Sequence, residues 1–167
     1  ALVLAAGDGR RLRSLSTTAD GTVIPKQFCS FGGGPSLLEL ALRRAERLVP
    51  SRRVLVVVAE EHRRFWEEGL GGSAPWEVVV QPANKGTAAG VLLPLCRLER
   101  LDPDARLVIL PSDHHVQREE VLAEAARTAL AELATDDISL ILLGLEPERS
   151  DTQYGWILPS TRRMGST

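Results

Sequence analysis

The stretch "RRVLVVVA", residues 52–59, decides the fold class because its apolar residues form one uninterrupted run after two arginines. A strand with one face in water alternates apolar and polar residues, whereas a strand in the middle of a parallel sheet is apolar on both faces. We therefore predict a buried central strand that is covered by helices on both sides.

Four other short apolar runs alternate with helical patterns along the chain. We predict strands over residues 2–6, 54–59, 78–80, 107–110 and 138–143. The helical patterns cover residues 36–48, 60–68, 87–100 and 119–133. This alternation favours an α/β fold, with a Rossmann-like, doubly wound and mainly parallel sheet in a three-layer arrangement. Ligands of such folds bind beyond the carboxyl ends of the strands.

Two of the helical segments carry further local signals. Ser36 stands three residues before Glu39, which is the spacing of a capping box, and Pro50 follows the last apolar position of that segment. Pro94 lies inside the third helical segment. We predict a kink or a break at Pro94, because proline lacks the backbone donor and crowds the preceding turn.

Composition and charge limit the class of protein. The 167 residues are 44% hydrophobic and 25% charged, which is ordinary for a globular protein, and the length suits a single domain over residues 1–167. The formal charge of −2 gives no reason to expect nucleic acid or a membrane as a partner, so phosphate affinity must come from locally placed Lys and Arg. No apolar run approaches the roughly 18 residues of a membrane span, and the first residues show neither the basic region nor the cleavage site that is typical of a signal peptide.

The two cysteines point to a reducing compartment. Cys29 and Cys96 lie far apart and lack the spacing of a zinc site or of a disulfide framework. We expect both to be small buried apolar residues of a cytoplasmic protein.

A glycine loop follows the first predicted strand. Gly7 and Gly9 form a G-x-G pattern, and Arg10 and Arg11 come directly after it. The third glycine of a dinucleotide-binding fingerprint and the lysine of a Walker motif are both absent. By itself the pattern fits a plain tight turn as well as it fits an anion site, in which arginine adds positive charge to converging backbone N–H groups.

A second basic residue follows in a more specific pattern. Pro25 and Lys26 begin the stretch "PKQF", residues 25–28, shortly before the capped helix. The glycine loop and this stretch together resemble the signature of sugar-phosphate nucleotidyltransferases, which reads roughly L-A-G-G-x-G-x-R-L-x-x-L-S and then P-K-Q-F. The resemblance is strongest to the mannose-1-phosphate guanylyltransferase branch.

Three later stretches resemble motifs of the same family in the expected order. "QPANKGTAAG", residues 81–90, is similar to its base-binding loop, and "LPSDHHV", residues 110–116, to its P-A/S-D-H motif at a strand end. "GLEPERSDTQYGWI", residues 144–157, is similar to its sugar-facing motif. The motifs together cover nearly the whole chain.

The resemblance implies a fold of the nucleotide-diphospho-sugar transferase type and transfer of a nucleotidyl group from an NTP, with GTP favoured, to a sugar 1-phosphate, with mannose 1-phosphate favoured. Arg11 and Lys26 would be the catalytic cations, and Asp113 would bind Mg²⁺ as the cofactor. Tyr154 and Gly155 would lie against the sugar. The implied nucleotide-binding residues are Leu4, Ala5, Ala6, Gly7, Gly9, Gln81, Asn84, Gly86 and Thr87.

Family members continue beyond the sugar-facing motif into a segment that completes the sugar pocket and supplies a second metal carboxylate. Nothing in the 167 residues corresponds to that segment. We therefore expect the chain to be the nucleotide-binding portion of such an enzyme, truncated after the motif, with the C-terminal sugar-binding segment missing.

Other interpretations stay open at this point. The chain could be a non-catalytic nucleotide-binding module or a truncated regulatory relative. Gln81 could bind guanine, thymine or uracil, which leaves dTTP and UTP as alternative nucleotides. Asp113 could cap the next helix, and Lys26 could be a solvated surface lysine. A dinucleotide-binding domain is disfavoured because no acidic residue follows the second strand in the usual place, where Glu60 and Glu61 are the nearest candidates. Oligomeric state is left open.

Overall fold

The computed structural model describes residues 1–7, 16–18, 21–70, 74–135, 140–147, 149–150, 152 and 155–158. These residues form a sheet of four parallel strands in the order β3-β2-β1-β4. The strands are β1 (Leu2–Ala5), β2 (Leu55–Ala59), β3 (Glu77–Gln81) and β4 (Ile109–Pro111). The parallel sheet and the helices between its strands confirm the predicted α/β fold class.

Strand β2 lies inside the sheet, and all five of its residues are buried. Val56 pairs with Val3 of β1 and with Val78 of β3 in register. Both faces of β2 are therefore covered, as we inferred from its uninterrupted apolar run.

The described residues also form four α-helices and three short 3-10 helices, and all of them except the last α-helix lie between two strands. The α-helices are α1 (Leu37–Glu46), α2 (Arg63–Leu70), α3 (Gly86–Leu101) and α4 (Glu119–Thr135). The 3-10 helices are Lys26–Phe28, Ser51–Arg53 and Glu60–His62. The four predicted helical segments are thus confirmed, with boundaries that differ by at most three residues where the 3-10 turns are not counted.

The two faces of the sheet build separate clusters. On one face Val3, Val56 and Val58 pack with side chains of α1 and α2, including Leu42 and Trp66. The strand residues that point to the opposite face form a second cluster, which consists of Leu2, Leu55, Val57 and Val79. Helix α3 contacts β1, β2 and β3. The helices therefore lie on both sides of the sheet, as a three-layer fold requires.

The capping box at the start of α1 is formed as predicted. The Ser36 hydroxyl accepts a hydrogen bond from the Glu39 backbone N–H at 3.2 Å, and the Glu39 carboxylate accepts one from the Ser36 backbone N–H at 2.7 Å. The second bond is the largest cause that lowers the pKa of the Glu39 carboxyl. The start of α1 is thereby defined by local sequence alone.

Pro94 does not end helix α3, which continues through it to Leu101. Of the predicted kink or break at Pro94, the break is therefore wrong and the kink stays a prediction. Pro94 is fully buried against the neighbouring elements. We attribute the continuity to this burial, which offsets the one intrahelical hydrogen bond that proline removes.

The fifth predicted strand is not formed where the structure describes it. Residues 138 and 139 lie outside the described residues, and residues 140–143 have no strand structure. Leu140 and Leu142 are 71% and 66% exposed. A strand needs a neighbour that supplies backbone hydrogen bonds, and no described strand pairs with this segment.

Two further sequence expectations concern environment. Cys29 is buried as predicted, but Cys96 on α3 is exposed, so the prediction for Cys96 is wrong. Burial raises the pKa of the Cys29 thiol. None of the helices in the described parts of the chain is long and apolar enough to cross a membrane.

Candidate active site

A cleft of about 360 Å³ opens at the carboxyl ends of β1, β3 and β4, where the fold class predicts a ligand site. Nine of the site residues inferred from the sequence line it. They are Leu4, Ala6, Gly7, Lys26, Gln81, Asn84, Gly86, Thr87 and Asp113. Motifs that stand far apart in the chain are thus brought to one place.

Lys26 and Asp113 form an ion pair at this cleft. Lys26 lies on the 3-10 helix that follows Pro25, and Asp113 lies two residues beyond the end of β4. Both side chains are about three-quarters buried. The pair therefore joins the segment after β1 to the segment after β4, and it presents one cation and one carboxylate at the same point.

The structure excludes the simpler interpretation of each of these two residues. Helix α4 begins at Glu119, six residues after Asp113, so Asp113 does not cap it. Lys26 is not a freely solvated surface lysine, because its ammonium group donates to a carboxylate in the cleft.

Gln27 holds the backbone of residues 5–7, here called the glycine turn, in place, and sequence reasoning gave it no role. Its side chain is 1% exposed, and its Nε2 donates to the carbonyl oxygens of Ala5 at 2.8 Å and of Gly7 at 3.1 Å. Both N–H donors of one amide are thus used on the backbone that leaves β1. Gln27 adjoins Lys26 in the chain, so it ties that lysine to the glycine turn.

Arg44 on α1 is a second site-forming residue that the sequence analysis missed. Its guanidinium binds both carboxylate oxygens of Glu119, at 2.7 and 2.9 Å, and its Nη2 also donates to the His114 carbonyl oxygen at 3.2 Å. The Arg44 side chain is buried. A signal existed, because Arg44 stands seven residues after Leu37 and therefore on the apolar stripe of the helix, where a basic residue needs a partner.

The loop after β3 has a shape that its residue types explain. The Asn84 side-chain oxygen accepts a hydrogen bond from the Gly86 backbone N–H at 3.0 Å. Gly86 has a φ of +83°, in the left-handed region that favours glycine, and it begins α3. The loop thus turns tightly from the end of β3 into the helix.

Gln81 is the last residue of β3 and is 4% exposed. Its Nε2 has no hydrogen-bond partner among the described residues. A buried polar group without a partner is uncommon in native proteins, and it calls for an explanation such as a ligand.

A second cavity, of about 490 Å³, shares Gln81 and Asn84 with the cleft. Its other lining residues follow the ends of β2 and β3 and are Ala59, Glu60, Glu61, Pro82 and Ala83. The carboxyl edge of the sheet therefore carries two adjacent hollows, one with the Lys26–Asp113 pair and one with two glutamates.

The other site residues that we inferred from the sequence are not among the described residues that line the cleft. The Ala5 side chain is buried in the core, so only its carbonyl oxygen, which accepts from Gln27, belongs to the site region. Gly155 is exposed and is not among the residues that line either hollow. Gly9, Arg11 and Tyr154 lie outside the described residues.

The parallel sheet, the helices on both of its faces and the cleft at its carboxyl edge define a Rossmann-like α/β protein. The chain belongs to the nucleotidyl transferase family, whose family model matches residues 1–164. The resemblance inferred from the motifs is thereby confirmed.

Curated relatives indicate which branch of the family the chain is similar to. The chain is 33% identical over 158 residues to the xanthan biosynthesis protein XanB of Xanthomonas campestris, with 93% of this chain and 32% of that protein covered. It is 29% identical over 158 residues to a mannose-1-phosphate guanylyltransferase of Salmonella montevideo, with the same two shares covered. The chain thus spans about a third of the length of these relatives.

A solved structure supports the fold. It is described as a mannose-1-phosphate geranyltransferase from Thermus thermophilus, and it matches with a TM-score of 0.63 at 32% identity. The match covers 78% of this chain and 37% of that one.

Proposed function

We propose that this chain forms the nucleotide-binding domain of a nucleotidyltransferase that joins GTP to mannose 1-phosphate and releases pyrophosphate. The observation that carries the proposal is the Lys26–Asp113 pair in a cleft that gathers nine residues of the family motifs. The printed name of the guanylyltransferase relative supports the choice of nucleotide and sugar phosphate.

The reaction consists of one displacement at phosphorus. An oxygen of the sugar phosphate attacks the α-phosphorus of the nucleotide, a new P–O bond forms, and the bond to the β-phosphate breaks as pyrophosphate leaves with the electron pair. Both reactants are anions, so the protein must neutralise charge and hold them in line. No covalent nucleophile is required.

The residues of the cleft suit this task. The Lys26 ammonium group supplies a positive charge at the carboxyl edge of the sheet, in the cleft that Gly7 also lines. A Cβ at Gly7 would meet no heavy atom of the described residues within 4 Å, so the backbone of Gly7 is open to the cleft. A phosphate group can therefore approach the backbone closely while Lys26 offsets its charge.

The donor set also fits a nucleotide-borne Mg²⁺. The described residues contain no group of three or more metal-binding side chains, and Asp113 is the acidic residue among those that line the cleft. Mg²⁺ uses one or two carboxylates and takes its other ligands from water and substrate phosphates, so one hard oxygen donor suffices. Asp113 would hold the ion, which when bound would offset phosphate charge. Lys26 then exchanges a carboxylate for a phosphate partner.

The test is pyrophosphate release from GTP and mannose 1-phosphate in the presence of Mg²⁺. We expect release by the wild-type protein and a loss of about a hundredfold or more in rate for Lys26→Ala. Arg52→Ala is the matched control, because it also removes one positive charge but lies before β2, at the opposite edge of the sheet. Release that is equal in Lys26→Ala and wild type contradicts the proposal, and GTP binding without release favours a non-catalytic module.

A further inference from the structure

The second hollow at the carboxyl edge places two carboxylates beside one amide. Ala59 pairs with Gln81 in the ladder between β2 and β3, so Glu60 directly follows the residue that lies opposite Gln81. Glu60, Glu61 and Gln81 all line the same cavity of about 490 Å³. Because Gln81 and Asn84 also line the Lys26–Asp113 cleft, this cavity adjoins the position proposed for the phosphates.

The Gln81 amide points to a ligand independently of the glutamates. The side chain is more than nine-tenths buried, and its Nε2 has no partner among the described residues. A ligand that offers an acceptor to this donor removes the cost of leaving it unpaired.

The orientation of Glu60 is fixed by Arg63. The Arg63 guanidinium donates to both Glu60 carboxylate oxygens, at 2.7 and 2.8 Å, and this contact lowers the pKa of the Glu60 carboxyl. Each carboxylate oxygen has two acceptor sites, so Glu60 keeps capacity for a further donor. Glu61 lies beside it, with its Oε1 at 3.9 Å from the His62 Nε2.

The common bases differ in the hydrogen-bond donors and acceptors that they present to an amide and two carboxylates. Guanine presents an acceptor, O6, followed by two donors, N1–H and the N2 amino group. Uracil and thymine present acceptor, donor and acceptor, so their O2 would be set against a carboxylate. Adenine and cytosine place an amino donor where the Gln81 donor needs an acceptor. An amide donor next to carboxylates therefore matches guanine.

We propose that Glu60 and Glu61 select guanine, by accepting hydrogen bonds from N1–H and the N2 amino group while Gln81 donates to O6. This inference rests on the proposed function, because it needs the nucleotide phosphates to occupy the neighbouring cleft. It deepens that function by assigning the choice of base to two residues that follow β2.

The experiment compares GTP with ITP, which differs from GTP only in lacking the N2 amino group. Dissociation constants are measured by calorimetry with Mg²⁺ for the wild-type protein, for Glu60→Gln/Glu61→Gln and for Glu67→Gln. Glu67 is the control because it also binds Arg63, at 3.1 Å, but is not among the residues that line the cavity.

We expect wild type to bind GTP about 10- to 100-fold more tightly than ITP, which is the range for a hydrogen bond to a charged group. In the double variant the GTP and ITP constants should agree within about twofold, and both nucleotides should bind it more weakly than they bind wild type, because ITP keeps the N1–H donor that the carboxylates accept. Glu67→Gln should keep the wild-type ratio. UTP and dTTP should bind to wild type more weakly than GTP does. The ratio of their dissociation constants to that of GTP should be smaller in the double variant.

Two results overturn the inference while the proposed function stands: equal binding of GTP and ITP by wild type, or an unchanged ratio in the double variant. A protein that binds no nucleoside triphosphate, or whose affinity is unaffected by Lys26→Ala, contradicts the proposed function itself. The two failures are therefore distinguishable.

Discussion

Arg44 donates a hydrogen bond to the carbonyl oxygen of His114 at 3.2 Å, so a helix on one face of the sheet holds the residue next to Asp113. The same guanidinium binds Glu119 at the start of α4. The loop that presents the carboxylate to the cleft is therefore anchored at two points, and both anchors depend on one buried cation.

Arg44→Met should destabilise the protein by about 3 kcal/mol, because it leaves Glu119 without its partner and removes a donor to the loop. Arg47→Met is the control, since Arg47 pairs with Glu120 between the same two helices but at the surface. We expect a change of at most about 1 kcal/mol for the control. Urea unfolding measures both, and equal effects of the two changes would contradict the anchoring role of Arg44.

Gln27→Glu should weaken nucleotide binding and reduce stability by about 1–3 kcal/mol. The variant keeps the shape of the side chain but loses the amide donor that satisfies the Ala5 and Gly7 carbonyl oxygens. Urea unfolding and GTP calorimetry give the two values. If Gln27→Glu binds GTP and unfolds like wild type, the glycine turn does not depend on this amide.

Asp113→Asn should tighten the binding of GTP in the absence of Mg²⁺ and weaken the benefit of adding Mg²⁺. The change removes the carboxylate that pairs with Lys26 and repels phosphate, and it removes the proposed metal ligand. Asp104→Asn is the matched control, because Asp104 is exposed in the connection between α3 and β4. Calorimetry with EDTA and with Mg²⁺ gives both affinities, and an unchanged response to Mg²⁺ would count against Asp113 as the ligand.

Gly86→Ala should cost about 1–2 kcal/mol in stability, because an L side chain is strained at a φ of +83°. A Cβ at this position would meet no heavy atom within 4 Å, so the expected cost is conformational and not a clash. Gly69→Ala within α2 is the comparison, since its Cβ position is equally open and alanine favours helices. In thermal unfolding, the melting temperature of Gly86→Ala should be lower than that of wild type, and the melting temperature of Gly69→Ala should be equal to it or higher.

Much of the fold follows from local sequence. The apolar run of β2 predicted a strand with two covered faces, and the Ser36–Glu39 spacing predicted the start of α1, because each signal depends on neighbouring residues alone. The Pro94 break was wrong since the burial that keeps α3 continuous is a tertiary effect. The strand over 138–143 was wrong in its described part, because hydropathy does not reveal whether a pairing partner is present.

The candidate site likewise contains residues that the sequence indicated and residues that it did not. Lys26, Gln81 and Asp113 were candidates because the motifs that contain them resemble motifs of the family, and the structure places all three at one cleft. Gln27 was missed because it binds backbone carbonyl oxygens, which have no sequence signature. Arg44 carried a signal in its place on the apolar stripe of α1, but its partners Glu119 and His114 lie far away in the chain and could not be read from that signal.

Titration of MgGTP into wild type, Lys26→Ala and Arg52→Ala tests the central claim, which is that the cleft of the Lys26–Asp113 pair holds the phosphates of a nucleotide. We predict saturable binding by wild type and by Arg52→Ala, and a loss of affinity of about tenfold or more for Lys26→Ala, in line with the loss of one hydrogen bond to a charged group. Equal affinity of all three proteins for MgGTP would contradict the claim.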